Sequence, residues 1–258
     1  MKYIYLRSSD LAKLTGHNKY DPVEKTVNEL LSRNGIQERY VPKSNIEGKL
    51  IQLTEDQLTS LRKELNLTEG ASLDTIESII KSTVMGSSYS GKLTEEESRQ
   101  KVDQKLEGKV VLQSLEVGIK QDLRMRRGNI KEDSNLNSIQ KKKGIQIQQR
   151  NSKMYTKELH RSDTYCLIIR GKVDGLADGT IVETKNRTKY LFNELRDYER
   201  VQLEAYMFLT GLELTLLTEH YNDDSNCIQY SHDEEFWSSC VTSIVAFIDT
   251  HIAGYLDE

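Results

Sequence analysis

The residues best suited to chemistry gather around one turn. Asp178-Gly179 is a two-residue hairpin signal, because both residue types tolerate the left-handed backbone of a tight reverse turn, and alternating stretches flank it on each side. If Ala177 faces Thr180, the register pairs Leu176 with Ile181, Gly175 with Val182 and Asp174 with Glu183. Side chains opposed in this way are about 5 Å apart, and like charges there destabilise a sheet unless something positive lies between them. Hard carboxylate oxygens at that spacing suit Mg²⁺ or Mn²⁺. Lys185 lies two residues beyond Glu183, so the strand period puts its ammonium on the same face. A metal there lowers the pKa of a bound water and takes up charge on a phosphoryl oxygen, while the lysine holds or deprotonates the attacking water. That is the chemistry of phosphodiester hydrolysis. The same spacing also fits an ordinary exposed hairpin with a weak Glu-Lys pair, and spacing alone does not choose.

These residues need a sheet and helices to hold them. Alternation predicts strands at 144–150, 154–159, 164–177 and 179–185, then at 213–221 and 227–231. A helix is expected over 110–127, continuing to about Leu136, with others over 190–210 and 233–255. Phe236 and Trp237 would pack the last one onto the sheet. The first forty residues read as helical: Ser9 as the cap of a short helix ended by Gly16, then Asp21 as the cap of a second with Pro22 at its first position and Gly35 as the stop. Residues 45–108 have a different texture, with capping-box spacing at Thr54/Gln57 and Thr94/Glu97, a further helix start at Ser72 and a loop at 88–93. The expectation is one α/β domain over 1–258, a small mixed sheet flanked by helices, with a helical insertion at 45–108.

Charge narrows the partner. The chain of 258 residues carries a formal net charge of -4, yet 17 Lys/Arg against 8 Asp/Glu fall between Lys120 and Tyr190, with RMRRG (124–128) and KKK (141–143) the densest pieces. A basic region on an acidic chain attracts phosphate backbones, though a solvated lysine-rich surface has the same composition. Cys166, Cys227 and Cys240 are odd in number and far apart, which excludes a disulfide framework and cysteine-ligated metals. The five histidines show no paired ligand spacing, and no phosphate-cradling Gly-x-x-x-x-Gly-Lys-Ser/Thr loop is present. No apolar run reaches the roughly 18 residues of a membrane span, and the N-terminus lacks a signal-peptide core. The chain is therefore expected to be soluble and intracellular, in the cytoplasm or nucleus of a host cell.

The string VDGLADGTIVETK (173–185) resembles the (P)D...(D/E)xK signature of restriction-endonuclease-like nucleases, with Val173 where many members have proline. Within that superfamily, further pieces resemble the lambda exonuclease and YqaJ-type viral recombinase branch. RSSDLAKLTGHNKYDP near the start is similar to its Ser-containing N-terminal helix motif, RRGNIKE (126–132) to its Gly-x-x-x-Glu helix and QLEAY (202–206) to its Gln-x-x-x-Tyr helix. The pieces occur in the family's order and leave 45–108 unmatched. The resemblance implies a restriction-endonuclease-like core with Asp174, Glu183, the Thr184 carbonyl and Glu132 around two Mg²⁺ or Mn²⁺ ions, and Lys185 as catalytic lysine. It implies that Gln202 and Tyr206 are aimed at the catalytic strand or the scissile phosphate, and that Arg7, Ser9, Arg126, Arg127 and Lys131 contact DNA. Ser9 as a plain helix cap, Glu132 as a solvent-facing glutamate and Tyr206 as a core aromatic are the competing readings.

The function implied is a metal-dependent 5′-3′ exonuclease on linear double-stranded DNA, serving recombination or genome processing in a phage or virus. A ring-shaped homotrimer and a single-strand annealing protein are the implied partners. A RecB-like structure-specific or single-strand endonuclease keeps the fold and changes the cut; a DNA-binding protein with a vestigial site keeps the binding and loses the chemistry.

Overall fold

The computed structural model describes residues 1–39, 45–89 and 92–256. Strand β1 (Lys2–Arg7) leads through a 3-10 turn into α1 (Leu11–Leu14) and α2 (Val23–Arg33). Then come α3 (Ile46–Leu50), α4 (Glu55–Glu64), α5 (Leu73–Ile79) with a π-helical continuation to Met85, α6 (Glu95–Leu106), α7 (Val110–Ser114) and the long α8 (Glu116–Lys143). The rest alternates: β2 (Tyr155–Arg161), β3 (Tyr165–Gly171), β4 (Gly175–Ala177), β5 (Thr180–Asn186), α9 (Asp197–Thr210), β6 (Leu214–Tyr221), β7 (Asp224–Ser231) and α10 (Glu234–His251).

The strands form two small mixed sheets flanked by helices. One has the order β1-β3-β2 with β1 parallel to β3; the other has the order β4-β5-β6-β7 with β5 parallel to β6. The expected single strand over 164–177 breaks between β3 and β4 at Lys172-Val173-Asp174, which is why there are two sheets. The hairpin lies where Asp178-Gly179 puts it. Both residues have positive φ, 48° and 76°, and Ala177, Leu176 and Gly175 pair with Thr180, Ile181 and Val182.

Alternation along β5 divides the core. Ile181 packs with α1, α2, α9 and α10 residues such as Leu11, Leu31, Val201 and Ile244, whereas Val182 packs on the other side with Leu136 and Ile139 of α8. Glu183 and Lys185 share parity with Ile181 and so belong to the α9 side. The 46–123 segment has its own core, built from Ile46, Leu61, Ile76, Val102 and, from α8, Ile119 and Leu123. At about 1.5 Å per residue, α8 runs roughly 42 Å from that core to the sheet. Gly118 is what brings α3 against it: a Cβ there would stand 2.9 Å from the Asn45 carbonyl carbon and oxygen. Thr54 and Thr94 make complete capping boxes, and Ser72 caps α5.

Several expected elements differ. Residues 2–7 are a strand, not part of a helical start; Ile4 and Leu6 point into the core while β1 pairs with β3, a partner more than 150 residues away that local pattern does not disclose. Neither Ser9 nor Asp21 caps a helix with its side chain. Arg7 stands at the cap position of the 3-10 turn, Asp10 at that of α1 and Pro22 at that of α2, and Asp21 instead accepts a hydrogen bond from Lys25 at 2.6 Å. The 144–150 stretch makes only one bridge, Gln148 with Leu176. Helix α8 runs past Leu136 to Lys143, and α9 starts at Asp197 rather than 190. The loop expected at 88–93 begins in a 3-10 turn over Gly86–Tyr89; residues 90 and 91 lie outside the described residues. No helix among the described residues is long and apolar enough to cross a membrane.

Candidate active site

Glu183 is 3% exposed on the central part of β5. Its Oε1 accepts a hydrogen bond from Lys185 Nζ at 2.8 Å, and its Oε2 is buried with no hydrogen-bond partner among the described residues. Lys185 Nζ also donates to Gln202 Oε1 at 3.1 Å, and Gln202 Nε2 donates to the Tyr206 hydroxyl at 2.7 Å. The four-residue spacing on α9 places those last two side chains one turn apart on one face. An unbroken polar chain thus runs Glu183, Lys185, Gln202, Tyr206 from strand to helix. At its far end Ser8 lies beside Tyr206, and both line the adjoining cavity.

Asp174 is not a ladder partner of Glu183. The β4-β5 pairing stops at Gly175 and Val182, and Asp174 lies just outside it, with Oδ2 accepting from the Thr184 backbone N–H at 2.8 Å. Burial, then the charge of Glu183, push its carboxyl up to about 8 against the opposing Thr184 hydrogen bond, with Glu132 adding to the push. Glu132 on α8 is half-buried and accepts from Asn151 Nδ2 at 3.2 Å; burial and then nearby Glu183 raise its pKa despite that hydrogen bond. Burial opposes the charge on Lys185, but bonded Glu183 and nearby Asp174 outweigh it and hold the ammonium above its usual range. Tyr206 is 5% exposed, and burial followed by Glu183 and Asp174 keeps it firmly a phenol.

Among the described residues no three His, Cys, Asp or Glu side chains close into a ready metal cage. The donor set still fits a hard divalent cation. A buried carboxylate oxygen lacks a partner beside a second carboxylate whose ionisation is disfavoured by the first, which is the electrostatic deficit a cation removes.

A cavity of about 460 Å³ adjoins this chain, lined by Tyr206, Ser8, Ser9 and Gly171 and by Arg7, Arg33, Arg170 and Lys172. Arg170 stacks over Tyr5 at 3.7 Å, and Arg33 is bound to Asp10 at 2.6 Å. Arg7 and Ser9 line this cavity together with Tyr206, and Ser8 is the serine nearer the Tyr206 side chain. Ser8 was missed because two adjacent serines fit the same motif. Strand parity could have separated them, since Ser8 follows the inward Ile4 and Leu6. Arg170 and Lys172 were missed inside an apolar strand pattern, and they flank Gly171 where β3 reaches the cavity.

The basic helix stretch divides in the structure. Arg127, grouped with the phosphate contacts, is 1% exposed. It pairs with Glu95 at 2.9 Å, donates to Leu93 O at 2.8 Å and Ser88 O at 3.3 Å, and contacts Ser98 Oγ. This guanidinium ties Ser88, Leu93, Glu95 and Ser98 to α8, and a charge run read from sequence does not separate such a buried arginine from an exposed one. Arg126 is exposed and lines two cavities at the seam between α5 and α8, with Lys81 and Asp122. Lys131 is half-buried, and burial followed by nearby Arg127 lowers its pKa.

No family model matches this chain, and no curated protein does. Among solved structures it is similar to an alkaline exonuclease from Laribacter hongkongensis at 15% identity and TM-score 0.43, covering 66% of this chain and 87% of that one. It is also similar to a phage-related exonuclease from Haemophilus somnus 129PT at 10% identity and TM-score 0.40, covering 98% of this chain and 96% of that one.

Proposed function

We propose that the chain is a Mg²⁺- or Mn²⁺-dependent deoxyribonuclease that hydrolyses phosphodiester bonds at the ends of linear double-stranded DNA, in the 5′-3′ sense. The observation that carries this reading is the juxtaposition of Asp174 and Glu183 with a lysine held by both Glu183 and Gln202. A structural ion pair has no need of a second, electrostatically strained carboxylate; a phosphoryl-transfer site does. Asp174, Glu183 and the Thr184 carbonyl would hold the cation, with Glu132 completing the set directly or through water. When bound, the ion supplies charge neutralisation at a phosphoryl oxygen and acidifies water.

The chain's own residues do the rest. Lys185 gives two of its three N–H donors to Glu183 and Gln202, which leaves one to orient the attacking water or hold a phosphoryl oxygen. Gln202 fixes the ammonium, and Tyr206 and Ser8 form the wall between it and the arginine-lined cavity, where neighbouring phosphates would be drawn. End-dependence, the 5′ direction, a homotrimer and a single-strand annealing partner are supported by the motif resemblance.

The test is end-labelled linear duplex DNA beside closed circular DNA, with Mg²⁺, Mn²⁺ or EDTA, for wild type and Glu183→Ala. The expected result is metal-dependent release of nucleotides from the 5′ ends of linear DNA alone, abolished by the substitution. Cutting of circles would replace the exonuclease reading with an endonuclease, and no hydrolysis with either metal would leave a DNA-binding protein.

A further inference from the structure

Two residues beyond Lys185, Arg187 continues the inner face of β5, and its N–H still pairs with the His220 carbonyl at 2.7 Å. Its guanidinium donates through Nε to Glu219 Oε1 at 2.6 Å and through both terminal nitrogens to Glu199, at 2.6 Å to Oε1 and 3.1 Å to Oε2. All three side chains are buried. Glu199 stands one turn before Gln202 on α9, and Glu219 on β6 is the cross-strand partner of Lys185. The second oxygen of Glu219 accepts the Asn193 N–H at 2.9 Å, which pins the connection between β5 and α9 as well.

This arrangement spans the same gap as the Lys185-Gln202 hydrogen bond. One end of that bond sits two residues from Arg187 on β5, and the other sits three residues from Glu199 on α9. A bidentate guanidinium-carboxylate pair fixes both distance and angle between its two elements, which a single long lysine side chain does not. Stability alone explains the cluster poorly, because buried ion pairs are often no more stabilising than apolar groups of similar volume.

We propose that Arg187, with Glu199 and Glu219, is a positioning residue that sets the spacing of β5 and α9 and thereby holds Lys185 against Gln202. The proposal rests on the nuclease reading for its catalytic consequence. It assigns Arg187 no contact with substrate.

Removing the guanidinium alone strands two buried carboxylates, so the informative variant is Arg187→Met with Glu199→Gln and Glu219→Gln, which leaves no unpaired charge. With Mg²⁺ or Mn²⁺ and linear duplex DNA, kcat is expected to fall about 100-fold with KM within about twofold of wild type and the melting temperature little changed. Arg187→Lys, which keeps the charge and loses the fork, is expected to fall about tenfold. Added guanidinium ion should restore turnover to Arg187→Ala and leave Lys185→Ala unchanged, measured at a temperature where circular dichroism shows Arg187→Ala already folded without it, so that the rescue is not one of folding. Wild-type kcat in the triple variant would overturn the proposal. Absence of hydrolysis by the wild type would sink the nuclease reading instead, and the clamp would then be read from a crystal structure of the triple variant. Separation of Lys185 Nζ from Gln202 Oε1 beyond hydrogen-bonding reach supports it, and retention near 3.1 Å overturns it.

Discussion

Replacing Asp174 with Asn should make the metal-free protein more stable, and more so as the pH rises. In the fold, burial and the Glu183 charge lift the Asp174 carboxyl from 3.8 to about 8, while in the unfolded chain it titrates near its ordinary value. Between those two values the folded state holds a proton that the unfolded state has released, so stability declines as pH increases from about 4 to about 8 and is level above. At 1.36 kcal/mol per unit the shift sets a ceiling of about 6 kcal/mol. Relaxation of the site and water entry reduce this, and about 3 kcal/mol is expected at pH 8. Asparagine keeps the acceptor for the Thr184 N–H, now bonded at 2.8 Å, and removes the charge. Urea denaturation of both proteins in EDTA at pH 5, 6.5 and 8 measures the effect. The variant should gain progressively across that series, and Mn²⁺ at pH 8 should stabilise the wild type far more than the variant. A gain independent of pH, or none at pH 8, would refute the electrostatic account of this carboxylate pair.

Arg127→Met, which keeps most of the stem packing but strands buried Glu95, should cost about 3–5 kcal/mol in chemical denaturation, whereas Arg126→Ala should change stability by less than about 0.5 kcal/mol. Gly171→Ala would place a methyl 2.5 Å from Ser8 Oγ and 3.0 Å from Leu209 Cδ1, so a loss of about 1–3 kcal/mol is expected, with turnover reduced through the displaced Ser8-Tyr206 contact; thermal melting and the nuclease assay report the two separately. Arg170→Glu with Lys172→Glu should weaken duplex binding and flatten its dependence on log salt by up to about two phosphate contacts, read by fluorescence anisotropy between 50 and 200 mM salt.

The site was legible where local rules reach and illegible where they do not. Asp178-Gly179 determines a turn type, the turn determines register, and register with strand parity brings Glu183 and Lys185 to one face. The four-residue step from Gln202 to Tyr206 works the same way on a helix. Asp174 shows the limit. Counting across the hairpin sets it opposite Glu183, but the ladder stops at the Gly175–Val182 pair, where Ile147 packs so close that a Cβ would fall 2.4 Å from its Cγ2, and Asp174 lies just outside the pairing. Strand β1 and the burial of Arg127 depend on partners far along the chain, Cys166 and Glu95 among them, and no window of neighbouring residues contains that information.

Buried carboxylates elsewhere in the protein show what an ordinary structural role requires. Glu199 has both oxygens on Arg187; Glu219 has Arg187 and a backbone N–H; Glu204 takes Tyr230, His232 and the Asp233 N–H; Glu95 lies between Arg127 and Arg99. Each acceptor of the first three is answered by donors that the fold supplies, and Glu95, whose Oε1 makes no hydrogen bond among the described residues, is answered by the charges of two guanidinium groups. Asp174 and Glu183 differ in kind. Lys185 answers one oxygen of Glu183, nothing answers the other among the described residues, and Asp174 is left to be neutralised by a proton. A chain that pairs Glu199, Glu204 and Glu219 this thoroughly has the means to pair these two, since an arginine two residues from Lys185 is used for Glu199 and Glu219. The deficit is therefore a property of the site itself, and under the proposed nuclease reading a divalent cation would supply the positive charge it lacks.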